Sequence, residues 1–196
     1  MTIREVKGEI RILGWDDSSF DDCDKKIPVV GSVVRGGKPY LDGVLVEEIT
    51  VDGFDATGVI SRASQETKHR DQLRVIMLDG ITFAGFNTID IKEVHRRTGL
   101  PVVVVTRKNT NFESFRKAMK GLQDFDRRWE CIEKAGDLKE LSMDRGNLYF
   151  QHVGITEKKT REVLKMCVSN SITPEPIRIS HLIASAIKEG ESIGGA

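Results

Sequence analysis

The sequence predicts an α/β protein: a mixed sheet of five strands, or slightly more, flanked by helices. Three observations carry that expectation. The first third holds short apolar runs punctuated by Gly, Asp and Lys clusters. The middle holds two buried-strand runs separated by a helical stretch, and such a β-α-β unit requires a parallel pair. The last third is dominated by apolar residues at helical spacing.

Ile10-Arg11-Ile12-Leu13-Gly14-Trp15 reads as the first strand and Pro28 to Val34 as the second. Gly36-Gly37 then supplies the positive φ of a tight hairpin, and Gly43 to Val51 returns as an antiparallel third strand. Asp55-Ala56-Thr57 caps a helix running to about Asp71, with Val59, Ile60 and Ala63 at helical spacing. Leu73-Arg74-Val75-Ile76-Met77-Leu78 is a buried strand ending in Asp79-Gly80, and Leu100 to Val105 is a second, with the helical stretch Asn87 to Thr98 between them. Helical patterns cover Phe112 to Ala135, a strand follows at Asn147 to Gln151, and another helix at Glu157 to Ser169. The last helix starts near Pro176 and carries Ile179, Leu182, Ile183, Ala186 and Ile187 on one stripe, with Gly190 and the Gly-Gly-Ala tail ending it. No repeat, linker or low-complexity segment divides the chain, so residues 1–196 read as one domain.

Composition narrows the function classes. The 196 residues contain 30 Lys plus Arg against 30 Asp plus Glu, so whole-chain charge supplies no attraction to phosphate and a nucleic-acid partner would need a local basic patch. Candidates are Lys68-His69-Arg70, Arg96-Arg97, Arg107-Lys108 and Lys158-Lys159, each of which also reads as a solvated face. Three widely spaced cysteines suggest neither a disulfide framework nor a Cys-based zinc site, and a reducing, cytoplasmic setting is expected. The longest apolar run, Leu100 to Val105, is far short of the ~20 residues of a membrane span, and no targeting segment is visible.

The order β-β-β-α-β-α-β, with an Asp closing the first strand and another closing the fourth, is the layout of a ribonuclease H-like fold. There the two strands are neighbours ~4.8 Å apart, so Asp16 or Asp17 and Asp79 would repel strongly unless a cation lies between them. Hard oxygen donors with room for phosphate oxygens suit Mg²⁺ or Mn²⁺ better than zinc. Taken singly, Asp16-Asp17-Ser18-Ser19 and Asp79-Gly80 read as turns, and only together, on adjacent strands, do they point to a site. On a helical wheel at ~100° per residue, His181 falls nearly opposite the apolar stripe of its helix. With Arg178 and Ser185 it forms a polar face, either solvated surface or the wall of a site.

Gly14-Trp15-Asp16-Asp17-Ser18, Leu78-Asp79-Gly80, Val105-Thr106-Arg107-Lys108 and Pro174-Glu175-Pro176-Ile177-Arg178-Ile179-Ser180-His181 resemble, in that order, segments of endonuclease V. The whole pattern from Ile10 to Gly190, including Asp79-Gly80-Ile81-Thr82-Phe83-Ala84-Gly85-Phe86-Asn87, looks still more like an archaeal family of unassigned function distantly related to endonuclease V. The resemblance implies that Asp16 and Asp79 match metal-holding aspartates, His181 a histidine of the site, and Lys108 a lysine near the phosphate path. It also implies Mg²⁺- or Mn²⁺-dependent hydrolysis of a phosphodiester near inosine in DNA or RNA. Two family features are missing: the Pro-Tyr-x-Pro-Gly wedge, and the catalytic Glu, whose place falls at Arg62 or Ala63. Asp55 is the best substitute for that Glu and Glu66 the next, while Asp55 reads equally as a helix cap.

Two functions therefore stand. The first is a metal-dependent nuclease, a hydrolase in which Asp16 and Asp79, helped by Asp55, hold the cation, and His181 positions or deprotonates the water. Lys108, Arg178 and Gly80 line the substrate path in that reading, with Lys108 and Arg178 neutralising phosphate charge. The second is a catalytically weak or inactive protein binding nucleic acid or a nucleotide on the same scaffold. An interaction protein with an empty cleft is a third, and the sequence assigns no oligomeric state.

Overall fold

The computed structural model describes residues 8–169 and 171–193. Strands β1 (Arg11–Asp17), β2 (Lys26–Arg35) and β3 (Leu41–Thr50) open the chain, followed by α1 (Ala56–Glu66) and β4 (Leu73–Asp79). Two short strands, β5 (Thr82–Phe83) and β6 (Asn87–Thr88), precede α2 (Ile91–Thr98) and β7 (Val102–Thr106). Helices α3 (Phe112–Met119) and α4 (Phe125–Ala135), strands β8 (Lys139–Met143) and β9 (Gly146–Val153), and helices α5 (Glu157–Cys167) and α6 (Glu175–Glu189) complete the order.

The main sheet runs β3-β2-β1-β4-β7-β9-β8. The β1–β4 and β4–β7 pairs are parallel and the others antiparallel, so the sheet is mixed as expected but has seven strands. The strand missing from the sequence reading is β8, where only Leu141 is buried in the segment Lys-Glu-Leu-Ser-Met. An edge strand that buries one side chain leaves almost no period-2 signal.

Strand alternation divides the core in two. Leu13, Trp15, Ile76, Leu78, Val102 and Val104 face a layer made by α1, α2 and α4. Ile12, Val75, Met77, Val103, Val105 and Phe150 face α5 and α6. Fully burying such side chains contributes roughly 1.5–3 kcal/mol each.

Local details depart from the sequence reading for identifiable reasons. Gly36 and Gly37 are not in the positive-φ region. Their N–H groups donate instead to the carbonyls of Ile10 and Gly8, and a Cβ on Gly36 would meet only the movable end of the Met166 side chain, so no left-handed turn is formed there. Helix α1 stops at Glu66, and a 3₁₀ turn at Arg70–Gln72 takes up the remainder of the segment expected to be helical to Asp71. Helix α2 starts at Ile91 rather than Asn87, because the Asp90 side chain accepts from Glu93 N–H as a cap while Asn87 and Thr88 pair with β5. The long pattern from Phe112 breaks into two helices after Met119. Helix α6 ends at Gly190, with φ 86°, and the Gly-Gly-Ala tail lies outside the described residues.

Candidate active site

The last paired residues of β1 and β4 are Trp15 and Leu78, so the next residue of each strand brings Asp16 and Asp79 side by side. Alternation places both on the α6 face, in line with Gly14 and Met77. Asp17 falls on the other face, where its Oδ2 accepts from the Ala84 N–H and ties β1 to the β5–β6 connection. Of the two adjacent aspartates, Asp16 is therefore the partner of Asp79.

Helix α6 supplies the third group, and its seating explains much of the Pro-Glu-Pro-x-Arg-x-Ser-His run. Pro176 packs directly on Gly14, where a Cβ would come within 2.4 Å of the Pro176 carbonyl carbon. Ser180 Oγ donates to the Gly14 carbonyl at 2.8 Å and accepts from Ser32 N–H at 3.1 Å, while Ser32 Oγ donates to the Pro176 carbonyl at 2.6 Å. The helix is thus pinned over β1 and β2 by its small and polar side, with Ile177, Ser180 and Ala184 buried. The stripe is off this contact: Ile179, Leu182, Ile183 and Ala186 are half-buried and Ile187 is 49% exposed. One residue beyond Ser180, His181 Nδ1 lies 3.0 Å from Asp16 Oδ2. The wheel placed His181 correctly opposite the stripe, but the stripe is not the face that meets the sheet.

The electrostatics follow from burial. Desolvation pushes the Asp16 carboxyl up to about 6, opposed by its hydrogen bond to His181. Desolvation and then the charge of Asp16 push Asp79 up to about 7, opposed by Arg107 and His181. The hydrogen bond to Asp16 raises the His181 imidazole above its ordinary value, against the pull of desolvation. The site therefore holds two carboxylates whose negative charge is under-compensated.

The other candidates lie elsewhere. Asp55 occupies the N-cap position of α1 without a side-chain cap bond. Its carboxylate accepts instead from Thr50 Oγ1 at 2.7 Å and Asn87 Nδ2 at 2.6 Å, which fixes the end of β3 to β6 and leaves Asp55 outside the Asp16–Asp79 pair. Glu66 is 71% exposed, 4.0 Å from Arg62. Arg178 turns back to Glu175, with its Nη2 2.7 Å from Glu175 Oε2, so its charge is spent within the first turns of α6. Lys108 is exposed beyond the end of β7, its backbone N–H bonded to Thr106 Oγ1. Gly80 follows Asp79 with φ 82°, a conformation that favours glycine. The cation acting on Asp79 is Arg107, which the sequence reading grouped with Lys108. The signal was its parity with Val103 and Val105, which face α6.

Among the described residues no three His, Cys, Asp or Glu side chains converge as a ready-made metal cage. The donor set nevertheless fits Mg²⁺ or Mn²⁺. Mg²⁺ is typically held by one or two carboxylates, with water and substrate phosphate oxygens filling its octahedron. Two desolvated carboxylates on adjacent strands also gain most from a divalent charge.

A stability profile follows. Because the folded pKa values of Asp16 and Asp79 lie above the unfolded ones, the folded state holds more protons between about pH 4 and 7, and stability falls as pH rises through that window. The raised His181 acts in the same direction as pH passes its ordinary value. His152, lowered by desolvation, opposes them below its ordinary value. Glu93 and Glu157, both near 2, act only at lower pH. In EDTA, Tm at pH 8 is expected to lie several degrees below Tm at pH 5.5, and Mn²⁺ should recover more of it at pH 8 than at pH 5.5. A flat profile without metal would contradict this electrostatic description.

The sheet order and the aspartates at the carboxyl ends of β1 and β4 define an endonuclease V-like, ribonuclease H-like scaffold. Endonuclease V of Ciona intestinalis, solved with a 24mer DNA containing an inosine followed by a ribo-adenosine, matches 88% of this chain and 83% of its own at TM-score 0.56 and 11% identity. The chain belongs to the endonuclease dU family, whose model matches residues 8–188. A UPF0215 protein of Methanosarcina mazei is 47% identical over 193 residues, 97% of each chain. A crystal structure of a protein of unknown function from Archaeoglobus fulgidus DSM 4304 superposes with TM-score 0.81 at 42% identity, covering 90% of this chain and 97% of that one. No helix among the described residues is long and apolar enough to cross a membrane.

Proposed function

We propose that this protein is a divalent-metal-dependent phosphodiesterase that cleaves nucleic-acid strands. The observation that carries the reading is the juxtaposed Asp16–Asp79 pair with His181 held on Asp16. Asp16 and Asp79 would hold Mg²⁺ or Mn²⁺, which supplies a Lewis acid and lowers the pKa of water. His181, oriented through Nδ1 by Asp16, leaves Nε2 to accept a proton from the attacking water. The water oxygen bonds to phosphorus as the bond to the leaving oxygen breaks, and Arg107 and Lys108 balance phosphate charge. The names of the family and of the solved neighbour direct the substrate search to deaminated bases, deoxyuridine and inosine.

A second reading, a binding protein without appreciable activity, is favoured by one observation: Asp55 does not join the pair, and Asp17, whose charge is felt by both aspartates, is held by the Ala84 N–H, so no third carboxylate among the described residues converges with them. End-labelled DNA and RNA strands with one deoxyuridine, one inosine or neither, incubated with Mg²⁺, Mn²⁺ or EDTA, separate the two. The nuclease reading expects metal-dependent cleavage of at least one strand. Binding without cleavage in any metal would establish the second.

A further inference from the structure

Helix α6 lies over β1 and β2, bonded to Gly14 on one and Ser32 on the other, and leaves the same face of the edge strand β3 open. On the opposite face of β3, Leu45 and Ile49 join the core that α1 covers. On the α6 face the register sets Leu41 against Val34, Val44 against Ser32 and Val46 against Val30. Ser32 reaches Pro176 of α6, so by alternation these three side chains share the α6 side. The extra residue of β3 opposite Val33 and Val34 is what turns Leu41 to that side. Leu41, Val44 and Val46 are 47%, 43% and 53% exposed.

The apolar stripe of α6 flanks this row. His181 leans to the β1 side, over Asp16, and on the helical wheel Ile183 and Ile187 fall on the other flank of the buried Ser180 and Ala184, towards β3. The strand row and the helix flank form a step whose side chains carry no charge, so a nucleic-acid strand finds no attraction there. Strand spacing puts β3 about one and a half spacings, roughly 7 Å, from the line between β1 and β2 along which α6 runs. Two helices pack 8–10 Å apart, so a second helix laid against the stripe would stand over Leu41, Val44 and Val46.

The occupant must therefore be a helix with an apolar flank, and α6 of a second copy is one. A two-fold axis that seats it on this β3 also seats the first α6 on the second β3, which makes the step self-complementary. The ten residues of β3, with Tyr40 before it and the five of the stripe, come near the roughly 20 that each side of a stable interface contributes.

We propose that the protein forms a two-fold dimer in which α6 of each copy packs over β3 of the other and the two stripes meet at the axis. The dimer is independent of the nuclease reading, because Asp16, Asp79 and His181 take no part in it.

The test is sedimentation equilibrium of the full chain, with an expected mass of twice 21.9 kDa. Val46→Lys and Ile187→Lys place a charge on side chains that are exposed in one copy and covered in the dimer. Each should raise the dimer Kd at least about ten-fold while preserving the circular dichroism of the wild type. Phe20→Lys, at a side chain 41% exposed outside this face, should leave the dimer intact. The wild-type Tm should rise with protein concentration and that of Val46→Lys should not. A monomer at every concentration, which would leave the face to a partner of another kind, or a dimer untouched by both substitutions, would overturn the proposal.

Discussion

Asp79→Asn is expected to lower metal-dependent cleavage by about 10²-fold or more, since even residues that only support a metal ligand cost 10- to 100-fold when lost. The same change removes an under-compensated charge from a desolvated position. At pH 8 in EDTA the variant should therefore melt at a higher temperature than the wild type. Activity and stability move in opposite directions only if the carboxylate pair is held together for function at a cost to the fold. A variant that cleaved normally, or one that melted lower, would remove Asp79 from the role given to it. Asp55→Asn serves as the contrast. It disturbs the bonds to Thr50 and Asn87 and should lower Tm, with the remaining activity still dependent on metal.

Gly14→Ala is expected to be among the most damaging single-methyl changes in the chain. An added Cβ would sit 2.4 Å from the carbonyl carbon and 2.5 Å from the carbonyl oxygen of Pro176, both backbone atoms that yield only if α6 lifts. Removing a glycine from a strand interior ordinarily gains about 0.5–1 kcal/mol, but overpacking costs typically 1–3 kcal/mol and occasionally more, so the clash wins. With two backbone atoms in the way the net loss is about 2 kcal/mol, and at 2–4 °C per kcal/mol for a chain of this size Tm should fall by roughly 4–8 °C. Lifting α6 also breaks the Ser180 bond to Gly14 and draws His181 from Asp16, so activity should fall further than the unfolded fraction accounts for. Gly58→Ala, in the open interior of α1 with nothing within 4 Å, should instead stabilise slightly.

The parts of this molecule that are legible in its sequence are those encoded by local pattern. Ile10 to Trp15 and Leu73 to Leu78 are dense apolar runs, and their ends place Asp16 and Asp79 where the β-α-β logic puts neighbouring carboxylates. Long-range partnership is not legible in the same way. Whether Asp16 or Asp17 meets Asp79 depends on which face α6 covers, and that depends on Gly14 and Ser32 receiving Pro176 and Ser180 across more than 140 residues of chain. Asp55 looked free to act as an acid because Thr50 and Asn87, its partners, are brought to it only by the fold. The apolar stripe of α6 misled for a related reason. Hydrophobic periodicity identifies the greasy side of a helix, whereas this helix meets the sheet through small and hydrogen-bonding residues, and close packing there outweighs apolar area.

The most direct test of the central claim, that Asp16 and Asp79 together form a divalent-cation site, is Mn²⁺ binding followed by electron paramagnetic resonance at pH 8 in the wild type and in Asp16→Asn. The expected result is loss of the free Mn²⁺ signal on titration with wild-type protein, with affinity weakened at least about ten-fold by Asp16→Asn. Equal Mn²⁺ affinity in the two proteins, or none in the wild type, would contradict it.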